Sequence, residues 1–193
     1  MLVGVRIIAG VYRSRGLEAP VGLATRPTSD RLRETLFNVL APRIEGVSFL
    51  DLYAGSGAVG LEALSRGAVR VTFVEQDAKA LAVLRGNVER LRITDGFRVS
   101  ARGVAAFLRA KPAEFFDLVF LDPPWDAAAE YESALGLLGG AAAGWLNEGA
   151  LVIAEHRRKE RLKERYGSLE RTRLLEQGDA ALSFYQIAIS TGI

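Results

Sequence analysis

Apolar residues along this chain come in two alternating rhythms. Unbroken runs at 47–53 (VSFLDLY), 69–75 (VRVTFVE), 116–121 (FDLVFL) and 150–155 (ALVIAE) have the length and the β-branched or aromatic content of buried strands. Phe97 to Ser100 reads as a weaker strand. Between these runs the spacing turns helical. Leu32, Leu36, Val39 and Leu40 fall on one face, as do Leu81, Leu84, Val88 and Leu91, the latter helix capped by Asp77. Shorter helices are predicted at Leu61 to Ser65 and Val104 to Ala110, and an Ala/Gly-rich helical region follows Trp125. Strand and helix alternate, which implies a parallel sheet covered by helices on both faces.

Two more strands, Leu169 to Glu176 and Ala181 to Ile189, are joined by Gln177-Gly178-Asp179-Ala180, a turn tight enough to force antiparallel pairing. The expected fold class is therefore α/β: a Rossmann-like, seven-stranded, mostly parallel sheet whose last strand is antiparallel. Ahead of it, Arg6 to Tyr12 alternates enough for a strand and Arg13-Ser14-Arg15-Gly16 supplies a turn before Leu17. Thr28, Ser29 and Asp30 are candidate caps for the helix that Pro42 ends. Residues 1–45 are expected to form a small hairpin-and-helix extension on a body spanning 46–193.

Charge sharpens this division. The net charge of +2 hides six arginines in the first 33 residues (Arg6, Arg13, Arg15, Arg26, Arg31 and Arg33) set against Glu18 and Asp30. Residues 156–173 hold eight Lys/Arg against three glutamates, so the rest of the chain is net acidic. Two basic patches on an acidic body point to a polyanionic partner. For 156–173 alone, helical spacing predicts ordinary Arg/Glu pairs on a solvated face.

The chain has no cysteine, which excludes disulfides, thiolate metal sites and a cysteine nucleophile. His156 is the single histidine, so no metal site is expected. The longest uncharged run, Ser133 to Asn147, is 15 residues with four glycines and is too short to span a bilayer. A cytoplasmic monomer is the expectation.

Two constellations carry chemistry. Gly55-Ser56-Gly57-Ala58-Val59-Gly60 matches G-x-G-x-x-G between a strand and a helix, and Glu75, which ends the next strand, stands where it can accept hydrogen bonds from ribose hydroxyls. That pattern alone leaves a nicotinamide or flavin oxidoreductase open. Asp122-Pro123-Pro124-Trp125, just past the strand at 116–121, decides otherwise. Two prolines cannot extend a ladder, so a carboxylate, a rigid kink and an aromatic face are presented together at the strand's carboxyl end. Such a group suits transfer of a methyl from a sulfonium to an exocyclic base nitrogen. Asp122 and the Pro123 carbonyl would accept the amine hydrogens and localise its lone pair, while Trp125 would hold the base by stacking, worth roughly 1–3 kcal/mol.

The chain also resembles a known family over nearly its whole length. The resemblance rests on RIIAG at 6–10 with Tyr12-Arg13, RPTSDRLRETLFN at 26–38, DLYAGSG at 51–57, GLEALSRGA at 60–68 and Asp122 to Trp125. The sequence is similar to the bacterial small-subunit ribosomal RNA (guanine-N2) methyltransferase D family, S-adenosylmethionine-dependent enzymes. The resemblance implies that Asp51, Ala54, Gly55, Ser56, Gly57 and Glu75 hold S-adenosylmethionine and that Asp122, Pro123, Pro124 and Trp125 form the target-base site. It also implies that the N-terminal arginines engage 16S ribosomal RNA, within an assembling 30S particle. Trp125 stands where relatives usually carry Phe or Tyr, and Ala101-Arg102-Gly103 lacks the Asp or Asn that many use for the adenine. Asp-Pro-Pro-Trp itself does not separate guanine N2 from adenine N6, and an RNA-binding assembly factor without turnover is the reading from another class.

Overall fold

The computed structural model describes residues 5–19, 30–124 and 127–188, and the chain divides into two compact units, residues 1–104 and 105–193. In the first unit, β1 (Val5–Arg6) and β2 (Gly16–Leu17) pair antiparallel around a turn, and α1 (Asp30–Leu40) follows. Then come β3 (Ser48–Leu52), α2 (Ala58–Ser65), β4 (Arg70–Val74), α3 (Ala78–Leu91) and β5 (Phe97–Ser100). The three sheet strands lie in the order β5-β4-β3, all parallel, with Leu52 opposite Val74 and Val74 opposite Ser100. Phe49, Leu50, Leu52, Val71, Phe73 and Val74 are buried, each apolar side chain contributing about 1.5–3 kcal/mol. Gly60 lets α2 sit close to this sheet, since a Cβ there would lie 2.3 Å from the Phe73 ring.

The predicted N-cap of α3 is present: the Asp77 carboxylate accepts from the Lys79 and Ala80 N–H groups. Of the predicted caps of α1, Thr28 and Ser29 lie outside the described residues.

Helix α4 (Val104–Leu108) begins where the units divide. The second unit continues with β6 (Phe116–Leu121), α5 (Ala128–Leu138), β7 (Leu146–Arg157), β8 (Arg165–Tyr166), β9 (Leu169–Gln177) and β10 (Ala180–Ile187). β6 and β7 are parallel, and β7, β10, β9 and β8 follow in that order, each pair antiparallel. Its core includes Trp145, whose indole N–H donates to the Leu108 carbonyl at 3.1 Å and whose ring stacks on Phe107 at 4.6 Å.

Two expectations are corrected here. Among the described residues, strands β3 to β10 number eight rather than seven, and the basic stretch 156–173 is turn and strand, not helix. The added strand, β8, arises because Tyr166 and Leu169 are both buried on either side of a tight turn, with Gly167 at φ +58°. No side chain fits at Gly167, where a Cβ would lie 2.2 Å from the Gly139 carbonyl. Strand β7 also starts four residues before its apolar run, which Gly149 at φ +72° and a register shift opposite Phe116 to Leu118 accommodate.

Candidate active site

The first unit builds a ligand cradle from the end of β3. Asp51, the next-to-last residue of that strand, is buried, and its Oδ2 accepts the Gly60 N–H at 2.9 Å. Burial pushes its carboxyl up to about 8; the Gly60 N–H pulls it down and the Glu75 charge raises it further. Beyond the strand the backbone enters the left-handed region at Tyr53 (φ +60°), Gly55 (φ +56°) and Gly57 (φ +78°). A β-carbon at Gly57 would lie 2.2 Å from Leu84, so that glycine is tucked against α3. Gly55 is different: the nearest atom to a Cβ there is the Tyr53 carbonyl at 4.0 Å, so the loop leaves open space in front of it.

Glu75 lies immediately after β4 and reaches this loop. Its Oε2 accepts the Gly55 N–H at 2.8 Å, and its Oε1 accepts those of Gln76 and Asp77, both at 2.8 Å. An ionised carboxylate offers about four lone-pair positions, so one remains for a hydroxyl in addition to these three. The chain therefore brings together Asp51, Ala54, Gly55, Ser56, Gly57 and Glu75 at the carboxyl ends of β3 and β4. Open backbone and the half-buried Glu75 carboxylate, on a loop fixed by the buried Asp51, suit a ligand carrying hydroxyls and positive charge.

Two side chains that the sequence did not single out hold this cradle in place. Asn87, buried on α3, donates to the Ser56 carbonyl at 3.0 Å and to the Glu18 carbonyl at 3.0 Å, and accepts the Glu18 N–H at 2.8 Å. It thus ties the glycine loop to the segment after β2. Glu62, buried on α2, accepts from the Ile8 and Ala9 N–H groups at 2.7 and 3.0 Å and from Arg66 at 2.7 Å. Ser65 completes the dock, donating to Ala9 and accepting from Tyr12. A buried Asn at a helical core position and an acid inside an apolar helix were the signals available in the sequence.

The arginines of the first unit do not form one class. Arg13, Arg15 and Arg31 are exposed, and Arg6 is exposed but ion-paired with Asp30 at 3.5 Å. Arg33 corrects the expectation of an RNA-facing side chain: it is fully buried, donates to the Arg6 carbonyl and to Asp30, and lies 3.9 Å from Glu62. Its position on α1 puts it on the inner face beside Leu32, Leu36 and Phe37. Arg26 lies outside the described residues.

In the second unit Asp122, half-buried, and Pro123, buried, follow directly on β6, with Pro124 exposed. The Pro124 carbonyl accepts the Ala127 N–H at 2.8 Å, which folds the chain back toward α5. Trp125 lies outside the described residues. Behind this corner Tyr131 is buried and donates to the Glu155 carbonyl at 2.9 Å. Its phenol is raised well above the ordinary tyrosine range, first by burial and then by the neighbouring charges of Asp122 and Glu155. Among the described residues no group of acids and histidine is arranged to hold a metal.

Three parallel strands with a glycine-turned β3–α2 junction in the first unit, and a parallel pair continued by antiparallel strands in the second, are the elements of the Rossmann-like fold of methyltransferases. The chain belongs to the family described as Conserved hypothetical protein 95, whose model matches residues 5–186. It is 42% identical over 151 residues to Ribosomal RNA small subunit methyltransferase D of Escherichia coli strain K12, covering 78% of this chain and 74% of that protein. Among solved structures it is similar to hypothetical protein TTHA0928 of Thermus thermophilus, with a TM-score of 0.77 and 35% identity over 93% of this chain and 98% of that one. It shares the fold, at a TM-score of 0.68 and 22% identity, with the Thermus thermophilus 16S rRNA N2 G1207 methyltransferase in complex with AdoMet and guanosine, covering 87% of this chain and 45% of that one.

Proposed function

We propose that this protein transfers a methyl group from S-adenosylmethionine to the exocyclic N2 of a guanine in 16S ribosomal RNA, acting as a monomer on an assembling small subunit. The observation that carries the reading is Asp122-Pro123-Pro124 directly following β6, in a chain 42% identical to a protein named as a ribosomal RNA small subunit methyltransferase. S-adenosylmethionine supplies an electrophilic methyl on a positively charged sulfur. Asp51, Ala54, Gly55, Ser56, Gly57 and Glu75 would hold it: the loop backbone approaches closely, Glu75 offers its remaining lone pair to ribose, and Asp51 fixes the loop through the Gly60 N–H.

Asp122 and the Pro123 carbonyl accept the two N2 hydrogens, so that the nitrogen lone pair is withdrawn from the ring and aimed at the methyl carbon. Bound there, the cofactor would supply the methyl group, its carbon–sulfur electron pair returning to sulfur as the carbon–nitrogen bond forms, and Asp122 would take up the N2 proton that is lost. Trp125 stacks on the splayed-out base. Arg13, Arg15 and Arg31 engage the RNA backbone.

The test pairs two measurements on one variant. Asp122→Ala should lose methyl transfer to small-subunit RNA or particles while still binding S-adenosylmethionine in a direct titration. Turnover retained in that variant would refute the acceptor role, and nucleoside analysis of the wild-type product separates guanine N2 from adenine N6.

A further inference from the structure

The basic stretch after β7 is not the self-neutralised helix its spacing suggested. From the end of β7 the chain turns sharply, with the Arg158 N–H donating to the Asp179 carbonyl at 2.8 Å and the Glu160 N–H to the Arg157 carbonyl at 2.9 Å. Later cations in the stretch are taken up by acids: Lys163 pairs with Glu132 at 2.6 Å, Arg165 with Glu170 at 3.2 Å and Arg171 with Glu164 at 3.3 Å. Arg158 and Lys159 are exposed and enter none of these ion pairs. Together with Arg157 and Asp179 they line a concavity of about 300 Å³ in the second unit.

The exposed Arg158 and Lys159 outnumber Asp179 along this concavity, and the Arg158 N–H bond to the Asp179 carbonyl ties the β9–β10 turn to it. We propose that this corner is a second RNA contact, one that seats phosphodiester groups on Arg158 and Lys159, separate from the arginines of the first unit. The inference rests on the ribosomal RNA reading above. Two adjacent exposed cations, rather than one buried guanidinium, match the repeated charges of a nucleic-acid backbone better than a single small anion. The concavity is lined by no aromatic residue, so the contact positions the RNA without reading its bases.

The experiment measures the affinity of the full chain for a small-subunit RNA transcript across a salt series, for the wild type, Arg158→Ala/Lys159→Ala and Arg158→Glu/Lys159→Glu. Loss of two phosphate contacts should make the slope of log affinity against log salt shallower by roughly 1.4–1.8, and the charge reversal should weaken binding further. The single variants Arg158→Gln and Lys159→Gln should each carry about half of that change, a result that stands even if a double variant loses stability. A steep wild-type slope that all four variants reproduce would overturn this inference alone. A wild-type slope near zero would overturn the RNA reading on which it depends.

Discussion

Replacing Glu62 should release the N-terminal hairpin from the first unit, and the size of the effect follows from what the carboxylate holds. It accepts two backbone N–H groups, from Ile8 and Ala9, and a charge-assisted bond from Arg66. It also faces the fully buried Arg33 at 3.9 Å. Breaking a buried ion pair by removing one partner costs about 3–5 kcal/mol, and hydrogen bonds to a charged group are worth about 1.5–3 kcal/mol each, although these overlap rather than add. Glu62→Ala should therefore lower unfolding free energy by about 4 kcal/mol, a large share of the roughly 5–15 kcal/mol of an ordinary domain. Glu62→Gln keeps the shape but offers one acceptor oxygen and turns an NH₂ toward other donors, so it should recover little of the loss. Urea unfolding gives the free energy, and hydrogen exchange at Ile8 and Ala9 reports the hairpin directly. A loss below about 1 kcal/mol, with both amides still protected, would refute the assignment of Glu62 as the dock.

Other residues give sharper readouts of the site. Asn87→Ala strips partners from the Ser56 and Glu18 carbonyls; each buried group left unsatisfied costs about 1–3 kcal/mol, and S-adenosylmethionine affinity should fall with stability, as calorimetric titration would show. Asp51 has a folded value of about 8 against 3.8 unperturbed, so its contribution to stability is full below about 4 and is lost as pH rises through 8. Asp51→Asn keeps an oxygen for the Gly60 N–H and should flatten that loss in urea unfolding at a series of pH values, while weakening cofactor binding at pH 8. His156 is buried, bonded through its Nε2 to the Ser183 hydroxyl at 2.9 Å, and held below its ordinary value chiefly by burial. The unfolded chain then takes up a proton that the folded one resists, so stability should drop as pH falls below about 6.5, and His156→Asn should remove that slope.

Legibility followed locality. The glycine turn after β3, the Asp77 cap, β6 with its proline stop and the turn between β9 and β10 all announce themselves within a few residues, because φ restrictions and capping bonds are short-range. What could not be read locally depended on distant partners. Arg33 counts as a surface charge in any one-dimensional tally, yet Arg6, Asp30 and Glu62 draw it inside. Strand β8 exists because the carbonyl of Gly139, a residue following α5, meets the turn at Gly167 and Ser168. Glu62 and Ser65 sit within the GLEALSRGA run that marked the family, but nothing in that run shows that its polar residues point at residues 8–12.

Removing Arg33 from the surface changes how the electrostatics of binding should be counted. Of the six N-terminal arginines one is buried and Arg6 is shared with Asp30, which leaves Arg13, Arg15 and Arg31 as exposed candidates among the described residues. Three phosphate contacts give a salt slope of roughly −2 to −3, well short of a chain with six. Any steeper wild-type slope therefore has to be supplied elsewhere, and Arg158 and Lys159 are exposed cations outside the described ion pairs. The hairpin is docked rather than merely tethered. Arg13 and Arg15 sit on a turn whose backbone is held at Ile8, Ala9 and Tyr12 by Glu62 and Ser65, so their spacing is already set in the unbound chain. A β-carbon at Gly10 would lie 1.7 Å from the Ser65 carbonyl, and only glycine permits so close an approach. Preorganised cations lose less freedom on binding than tethered ones, which is the physical reason for an acid, a serine and a glycine placed away from the chemistry.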